Sequence, residues 1–402
     1  MTDFALSRRR LFGRAGATTV IVCGGQLFLS GCSSAPTGAA YAPWTLWNDP
    51  SVRGTPLALV AAAALAANPH DSQPWLFRLT ESTIDVLADT SRNLGAMDPF
   101  LREMHIGLGC AIENMRQVAG VHGYVAAVET VAGDLRTVSE RRLPVPVATL
   151  RLTALAKAEA PSPAFSAIPR RHTNRNPYDR GRPVAALWRD ALPSMIAAPE
   201  IDAPQIRLFT FENDAARVTY EKVVVEATQA IIDDAPMIAD SDRWFRRTDA
   251  EIEAYRSGPT LAAAGLSPLT LMAAKIFPVS KDAEHKTWLA HTRDEQLATA
   301  PLLGVLAVRD RFDRATCLAV GRAWQRLHLS AVLSGYAVQP LNQAMEMADR
   351  DAQIGRAPNW EKRLSAAIGT EGWQPTFSFR AGFAKRSAPA SPRRALRDIV
   401  SA

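Results

Sequence analysis

Of 402 residues only four are cysteine and seven are histidine. So sparse a cysteine content excludes a disulfide-stapled scaffold. The histidines show no ligand spacing of the His-Glu-x-x-His kind, so no metal site is expected. The chain also lacks a phosphate-loop signature and a Gly-x-Ser-x-Gly elbow, which removes two common routes to nucleotide and acyl chemistry. No apolar run reaches the roughly 18–20 residues that a membrane-spanning helix needs. No stripe of lysine and arginine interleaved with aromatics is present, so nucleic acid is not an expected partner. Nor is there a large excess of one charge. The formal net charge is +6, and half of it comes from four arginines set against Asp3 in the first 31 residues. What is present is a 47% hydrophobic, 21% charged chain, long enough for two domains or one large fused unit with a sizeable core.

The N-terminus reads as an address. Ser7-Arg8-Arg9-Arg10-Leu11-Phe12 resembles a twin-arginine export motif, and a moderately apolar stretch follows from Ala15 to Leu29. That stretch fits a signal h-region rather than a spanning helix. Leu29-Ser30-Gly31-Cys32 matches a bacterial lipobox, with Cys32 as the acylated first residue of the mature chain. Residues 1–31 are therefore expected to be a signal peptide, and 32–43, small, polar and Pro-containing, a flexible tether. The expected location is a membrane-anchored lipoprotein facing the periplasm or cell exterior. Twin-arginine export moves folded proteins, which favours one that binds its cofactor in the cytoplasm. The remaining cysteines, Cys110 and Cys317, could pair, although their apolar, helix-like contexts favour small buried thiols.

Beyond the tether, Leu57–Ala67 is an almost continuous Ala/Leu/Val run, expected as a helix buried all round. It stops at Asn68-Pro69, because proline restricts the residue before it. Trp75–Leu79 and Thr83–Leu87 alternate like two strands of a hairpin. Arg102–Gly120 has helical periodicity. Within it, Gly107-Leu108-Gly109 supplies two glycines of a dinucleotide fingerprint but follows no strand, so that reading is rejected. Leu150–Pro163 reads as a strand end entering a connector. Helices are expected over Asp214–Asp233 and Asp313–Ser334, and Leu302–Val308 reads as a buried strand. Trp244–Pro278 is expected to be an irregular insertion acting as a lid, since Gly258-Pro259, Gly265 and Ser267-Pro268 interrupt it.

The residues that could carry chemistry fall into clusters. Asn68-Pro69-His70-Asp71-Ser72-Gln73-Pro74-Trp75 places three polar side chains at the end of a buried helix. Arg171-His172-Thr173-Asn174-Arg175, with Arg393 and Arg394 from the tail, offers forked donors and a hydroxyl, as a bound phosphate requires. Gly335–Leu341 could be a functional loop or simply a helix C-terminal turn.

Taken in order, these segments resemble the nitroreductase family, and its Acg-type subgroup in particular. The first octapeptide resembles Pro-Ser-x-x-Asn-x-Gln-Pro-Trp. Asp89-Thr90-Ser91-Arg92, Asp98-Pro99-Phe100-Leu101-Arg102-Glu103 and Gly109–Asn114 then follow. Arg171–Arg175 resembles the family's Arg-x-Ser/Thr-x-Lys/Arg, while Phe379–Phe383 and Ser391–Leu396 resemble its closing strand and basic tail. The resemblance implies an α+β fold in which two fused halves, 44–163 and 164–402, form an intramolecular pseudo-dimer with antiparallel-rich sheets flanked by helices. It implies one FMN per chain, its phosphate held by Arg171, Thr173, Arg175, Arg393 or Arg394. Asn68, Asp71 and Gln73 would meet the ring, and Gln339, Pro340 and Leu341 would pass its reactive edge. Asp71 stands where the pattern has asparagine, and a carboxylate there would oppose a reduced, anionic flavin. The expected activity is ping-pong reduction of a small electron acceptor, nitroaromatic or quinone. The electron donor would be a membrane partner and a monomer would suffice; the alternative is a flavin-binding lipoprotein without turnover. No general acid or base is assigned.

Overall fold

Two sheets frame the fold, and the two central strands of the second are buried along almost their whole length. The computed structural model describes residues 37–137, 143–196, 205–212, 215–276, 279–369 and 372–401, all within one compact unit. Residues 1–31 and Cys32 lie outside them.

The first sheet comprises β1 (Trp75–Leu79), β2 (Thr83–Asp89), β3 (Tyr124–Thr130), β4 (Pro144–Ala154) and, from the far end of the chain, β9 (Val400–Ser401). Its order is β3-β4-β2-β1-β9, antiparallel except for the parallel β1–β9 edge, where Phe77 pairs with Val400. The second sheet comprises β5 (Ile206–Phe211), β6 (Leu302–Val308), β7 (Ala337–Pro340) and β8 (Gln374–Gly382), ordered β5-β6-β8-β7 and antiparallel throughout. The expected hairpin and central strand are thus present, and every residue of β6 is buried, as its unbroken apolar run requires. Gly335–Leu341 divides between the two expectations and a strand. Gly335 (φ +76°) and Tyr336 close the C-terminal turn of the preceding helix, the Tyr336 N–H donating to Ala331 O (2.8 Å), and Ala337–Pro340 then enter β7, where β8 supplies partners for the backbone. β4 runs from Pro144 to Ala154, paired along its length by β2 and β3, and so ends within Leu150–Pro163, the stretch read as a strand end entering a connector.

The helices that position the site are α1 (Pro56–Ala63), α2 (Arg102–Ala119), α3 (Ala215–Asp233), α4 (Asp249–Tyr255), α5 (Pro268–Ile276) and α6 (Arg314–Leu333). The buried run that begins in α1 continues in turns to Ala67. Asp98 caps α2, its carboxylate accepting the backbone N–H groups of Glu103 (3.0 Å) and Met104 (2.9 Å). α2 and α6 pack backbone to backbone at Gly109 and Gly321, where an added Cβ would lie 2.1 Å from Leu318 O and 1.9 Å from Ile106 O respectively. Cys110 and Cys317 are unpaired, buried thiols beside this contact. The segment expected to be irregular, Trp244–Pro278, carries α4 and α5. Thr248 and Glu251 close a capping box on α4, and glycines at positive φ (Gly258, +96°; Gly265, +82°) serve as turns between helices. Among the described residues no helix is long and apolar enough to cross a membrane.

Candidate active site

The turn after the α1 run is built around one asparagine. Asn68 Oδ1 accepts the Gln73 N–H (2.8 Å) while its Nδ2 donates to Ala66 O (3.2 Å). Between these anchors His70, Asp71 and Gln73 adopt the left-handed conformation, with φ of 48°, 46° and 50°. Each such non-glycine residue costs roughly 1–2 kcal/mol, so surrounding contacts must hold the turn. They come from three distant segments. Gln73 Nε2 donates to Arg256 O (2.8 Å) and Pro392 O (3.3 Å), and its Oε1 accepts the Arg394 N–H (2.7 Å). Gly258 N–H donates to Asp71 O (3.0 Å), and His70 Nε2 lies 3.0 Å from Ser241 Oγ. Arg92 Nε donates to Ser72 O. The side-chain amides of Asn68 and Gln73, expected against a flavin ring, are therefore committed to backbone partners and shape the turn.

Against this turn the chain brings buried guanidinium groups. Arg171 donates through Nη2 to Leu65 O (3.0 Å) and through Nη1 to His328 Nδ1 (3.4 Å). Arg393, arriving from the tail, pairs through Nη1 with Asp71 Oδ1, donates through Nη2 to Ala66 O (3.4 Å), and stacks 4.9 Å from the Trp44 ring centroid. Trp44 is fixed by its Nε1 bond to Ser391 O (2.7 Å) and meets His172 edge-on at 4.5 Å. Arg175 donates to Ala263 O (3.4 Å), and Gly265 approaches its backbone so closely that a Cβ would lie 2.3 Å from Arg175 O.

Burial dominates the electrostatics. It pushes Arg171 down to about 9, helped by the neighbouring charge of Arg393, and lowers Arg175 and Arg393 in the same sense. Burial also raises Asp71 to about 6, against the pull of Arg393. His70 and His172 are held at about 4 and about 3, by burial first and by arginine charge second, so both are neutral near pH 7. Buried Arg171 and Arg393, with half-buried Arg175 beside them, thus face one carboxylate. Arg171 Nε, Arg393 Nε and Asp71 Oδ2 are buried polar atoms without a hydrogen-bond partner. An excess of buried positive charge with unspent donors suits a dianion such as a phosphate ester.

The other expected residues fall around this cluster. Thr173 lies half-buried between Arg171 and Arg175. Arg394 turns away, donating to Gln73 O (3.2 Å) and Trp75 O (3.4 Å) and lying 3.9 Å from Asp89, so only one of the tail pair reaches Arg171's neighbourhood. Gln339 Oε1 accepts from Arg380 Nε (2.8 Å), and Pro340 and Leu341 register with β8. These three join the cluster indirectly, through the Asn174 N–H bond to Val338 O (3.1 Å). Arg92 and Trp44 carry no site role in the sequence reading: Arg92 belongs to the Asp89–Arg92 segment, whereas nothing local marks Trp44.

No protein-family model matches the chain. A curated protein of Mycobacterium tuberculosis, provisionally named an NAD(P)H nitroreductase and present in two strains, is 22% identical over 358 residues, spanning 85% of this chain and 90% of its own. Among solved structures, an FMN-dependent nitroreductase of Mycobacterium smegmatis in complex with NADPH is similar at 15% identity and TM-score 0.39, covering 60% of this chain and 97% of that one. A provisionally named nitroreductase of Anabaena variabilis is similar at 11% identity and TM-score 0.44, covering 75% and 69%. The similarity to the curated protein runs along most of both chains.

Proposed function

We propose that this chain is an FMN-dependent oxidoreductase of the nitroreductase type, exported by the twin-arginine route and anchored through Cys32. The observation that carries the reading is the meeting of Arg171 and Arg393 beside the strained Asn68–Gln73 turn, with more buried positive charge than Asp71 balances. Arg171 and Arg393, with Arg175 and Thr173 beside them, would hold the flavin phosphate. The residues 68–73 would lie over the attached ring, shaped by the committed amides of Asn68 and Gln73. When bound, FMN supplies reversible two-electron storage, and the protein supplies placement and electrostatics.

One site per chain follows from the distribution of parts. The turn belongs to the first half (44–163) and the arginine segment to the second (164–402), so a monomer suffices and the halves act as an internal pseudo-dimer. The 244–278 insertion is its cover, bonded to Asp71 O through Gly258 and to Arg175 through Ala263. The acceptor is a small nitroaromatic or quinone. The curated relatives' name points to NAD(P)H as donor; for an anchored, exported chain, a membrane electron carrier is the alternative. A second reading, a flavin-binding lipoprotein without turnover, is favoured by Asp71, whose charge opposes a reduced flavin.

The purified mature protein is expected to be yellow. After anaerobic reduction with dithionite, mixing with menadione or a nitroaromatic is expected to reoxidise it rapidly. Inert reduced flavin would select the binding protein, and colourless protein that refuses added FMN would refute both readings.

A further inference from the structure

Among the described residues, Asp71 is the one group at the arginine cluster whose charge has the same sign as the proposed ligand. We propose that Asp71 is a resident anion of this cluster: its carboxylate takes up donors that a phosphate ester would otherwise receive, and so sets the affinity of the site for phosphorylated ligands. The proposal rests on the flavoprotein reading for its natural ligand, but not for its physical content.

The geometry is specific. Asp71 Oδ1 pairs with Arg393 Nη1, while Oδ2 has no hydrogen-bond partner. The side chain is about nine-tenths buried, and Arg393 almost completely so. The turn that places it is held at φ 46° by the Asn68, Gln73 and Gly258 bonds, so the carboxylate is fixed among the arginines by strain borne elsewhere. Other acids on flanking elements are engaged away from the cluster. Asp89 sits 3.9 Å from Arg394, Asp240 accepts the Ala96 N–H (2.7 Å), and Glu253 accepts the Ala40 N–H (3.3 Å). A dianion entering beside Arg171 and Arg393 therefore meets one fixed negative charge, and like charges in a buried site disfavour each other strongly.

Binding should then be linked to protonation of Asp71. The charged and titratable groups facing this carboxylate are Arg393 from the tail, Arg171 and Arg175 from the second half, Arg92 after β2, Arg246 from the insertion and Tyr41 near the N-terminus. The imidazoles of His70, His172 and His328 are all held well below the ordinary histidine value by burial, so they gain no charge in the working range. Asp71, raised to about 6, does change charge there. Protonation removes its negative charge, so anion affinity rises as pH falls through that region. A purely structural ion pair would behave differently, since removing it would loosen the turn and weaken every ligand alike.

The test compares the mature wild-type protein with Asp71→Asn, using FMN, riboflavin and inorganic sulfate as probes. Riboflavin lacks the phosphate, and sulfate remains a dianion throughout the range. The variant is expected to bind FMN and sulfate about tenfold more tightly, with riboflavin changed by less than about twofold. Wild-type sulfate affinity is expected to rise between about pH 8 and pH 5.5, and that of the variant to stay flat. Equal, pH-independent sulfate binding in both proteins, or FMN and riboflavin weakening together, overturns the proposal. If neither protein takes up FMN while the sulfate difference holds, the flavoprotein reading falls and Asp71's role stands. Should the variant fail to fold, the wild-type sulfate series decides alone.

Discussion

Arg171 is buried with only neutral partners on its terminal nitrogens, Leu65 O and His328 Nδ1, and an idle Nε. Burying a guanidinium costs several kcal/mol unless an anion compensates it, so its position is costly for folding alone. That contrast yields a prediction at the scale of a single side chain. Arg171→Met keeps the volume and removes the charge, so the unfolding midpoint should hold or rise. FMN affinity should fall by about 10–100-fold, the worth of one charge-assisted bond, with riboflavin little changed. Flavin fluorescence titration checks both, and an equal loss for the two flavins would mean that Arg171 does not serve a phosphate. The pair Arg393 and Arg394 carries the complementary lesson. Two adjacent arginines look alike in sequence, yet one pairs with Asp71 and the other lies 3.9 Å from Asp89.

The glycines at 107, 109 and 321 explain how elements hold that geometry. The spacing of Gly107 and Gly109 on α2 looks superficially like a dinucleotide fingerprint, but these two and Gly321 on α6 permit contact between helices and turn. A Cβ on Gly107 would lie 2.9 Å from the Pro69 ring, and those on Gly109 and Gly321 would strike the facing helix backbone. Polar ties lock the same contact. Glu113 accepts from Arg322 (3.2 Å) and Arg326 (2.7 Å), and Gln325 donates to Asn114 Oδ1 (2.7 Å). Gln325 Oε1 also accepts the Ala67 N–H (3.3 Å), so α6 grips the residue immediately before the Asn68 turn. Gly321→Ala must push α6 off α2, and overpacking of this kind costs about 1–3 kcal/mol. A lower denaturant midpoint and weaker flavin retention are the expected results, and an unchanged midpoint would show that the helices do not meet as described. Insertion 244–278 shows the limit of element reading. Its glycines and prolines were legible as interruptions, but the Thr248–Glu251 capping box marks a helix start that those interruptions obscured.

Across the whole molecule the tail is the clasp. After β8 it crosses to the opposite sheet. Arg393 N–H donates to Ala40 O (2.7 Å), and Phe77 N–H donates to Ile399 O (2.8 Å) as β9 joins β1. Both donors and acceptors of the Gln73 amide are tied to this passage or to the insertion. Removal of residues 391–402 should therefore leave Asp71 without Arg393, the Gln73 amide half unsatisfied and the first sheet with a bare edge. Loss of bound flavin and a lower thermal midpoint are expected. A truncated protein with unaltered FMN affinity would disprove the clasp.

The chain's own pattern determined what is local: the β1–β2 hairpin, α2, α3, α6 and the buried β6, because burial of one face or of a whole strand imposes a periodicity that nearby residues reveal. It also marked Arg171, Arg175 and Asp71 as chemically unusual. Tertiary structure alone decided that Gln73 serves the backbone, that Arg393 rather than Arg394 meets Asp71, and that β7 is a strand. Those outcomes depend on partners far away in sequence, 183 residues for Arg256 and 322 for Arg393, and no local preference encodes which distant group will satisfy a buried polar atom.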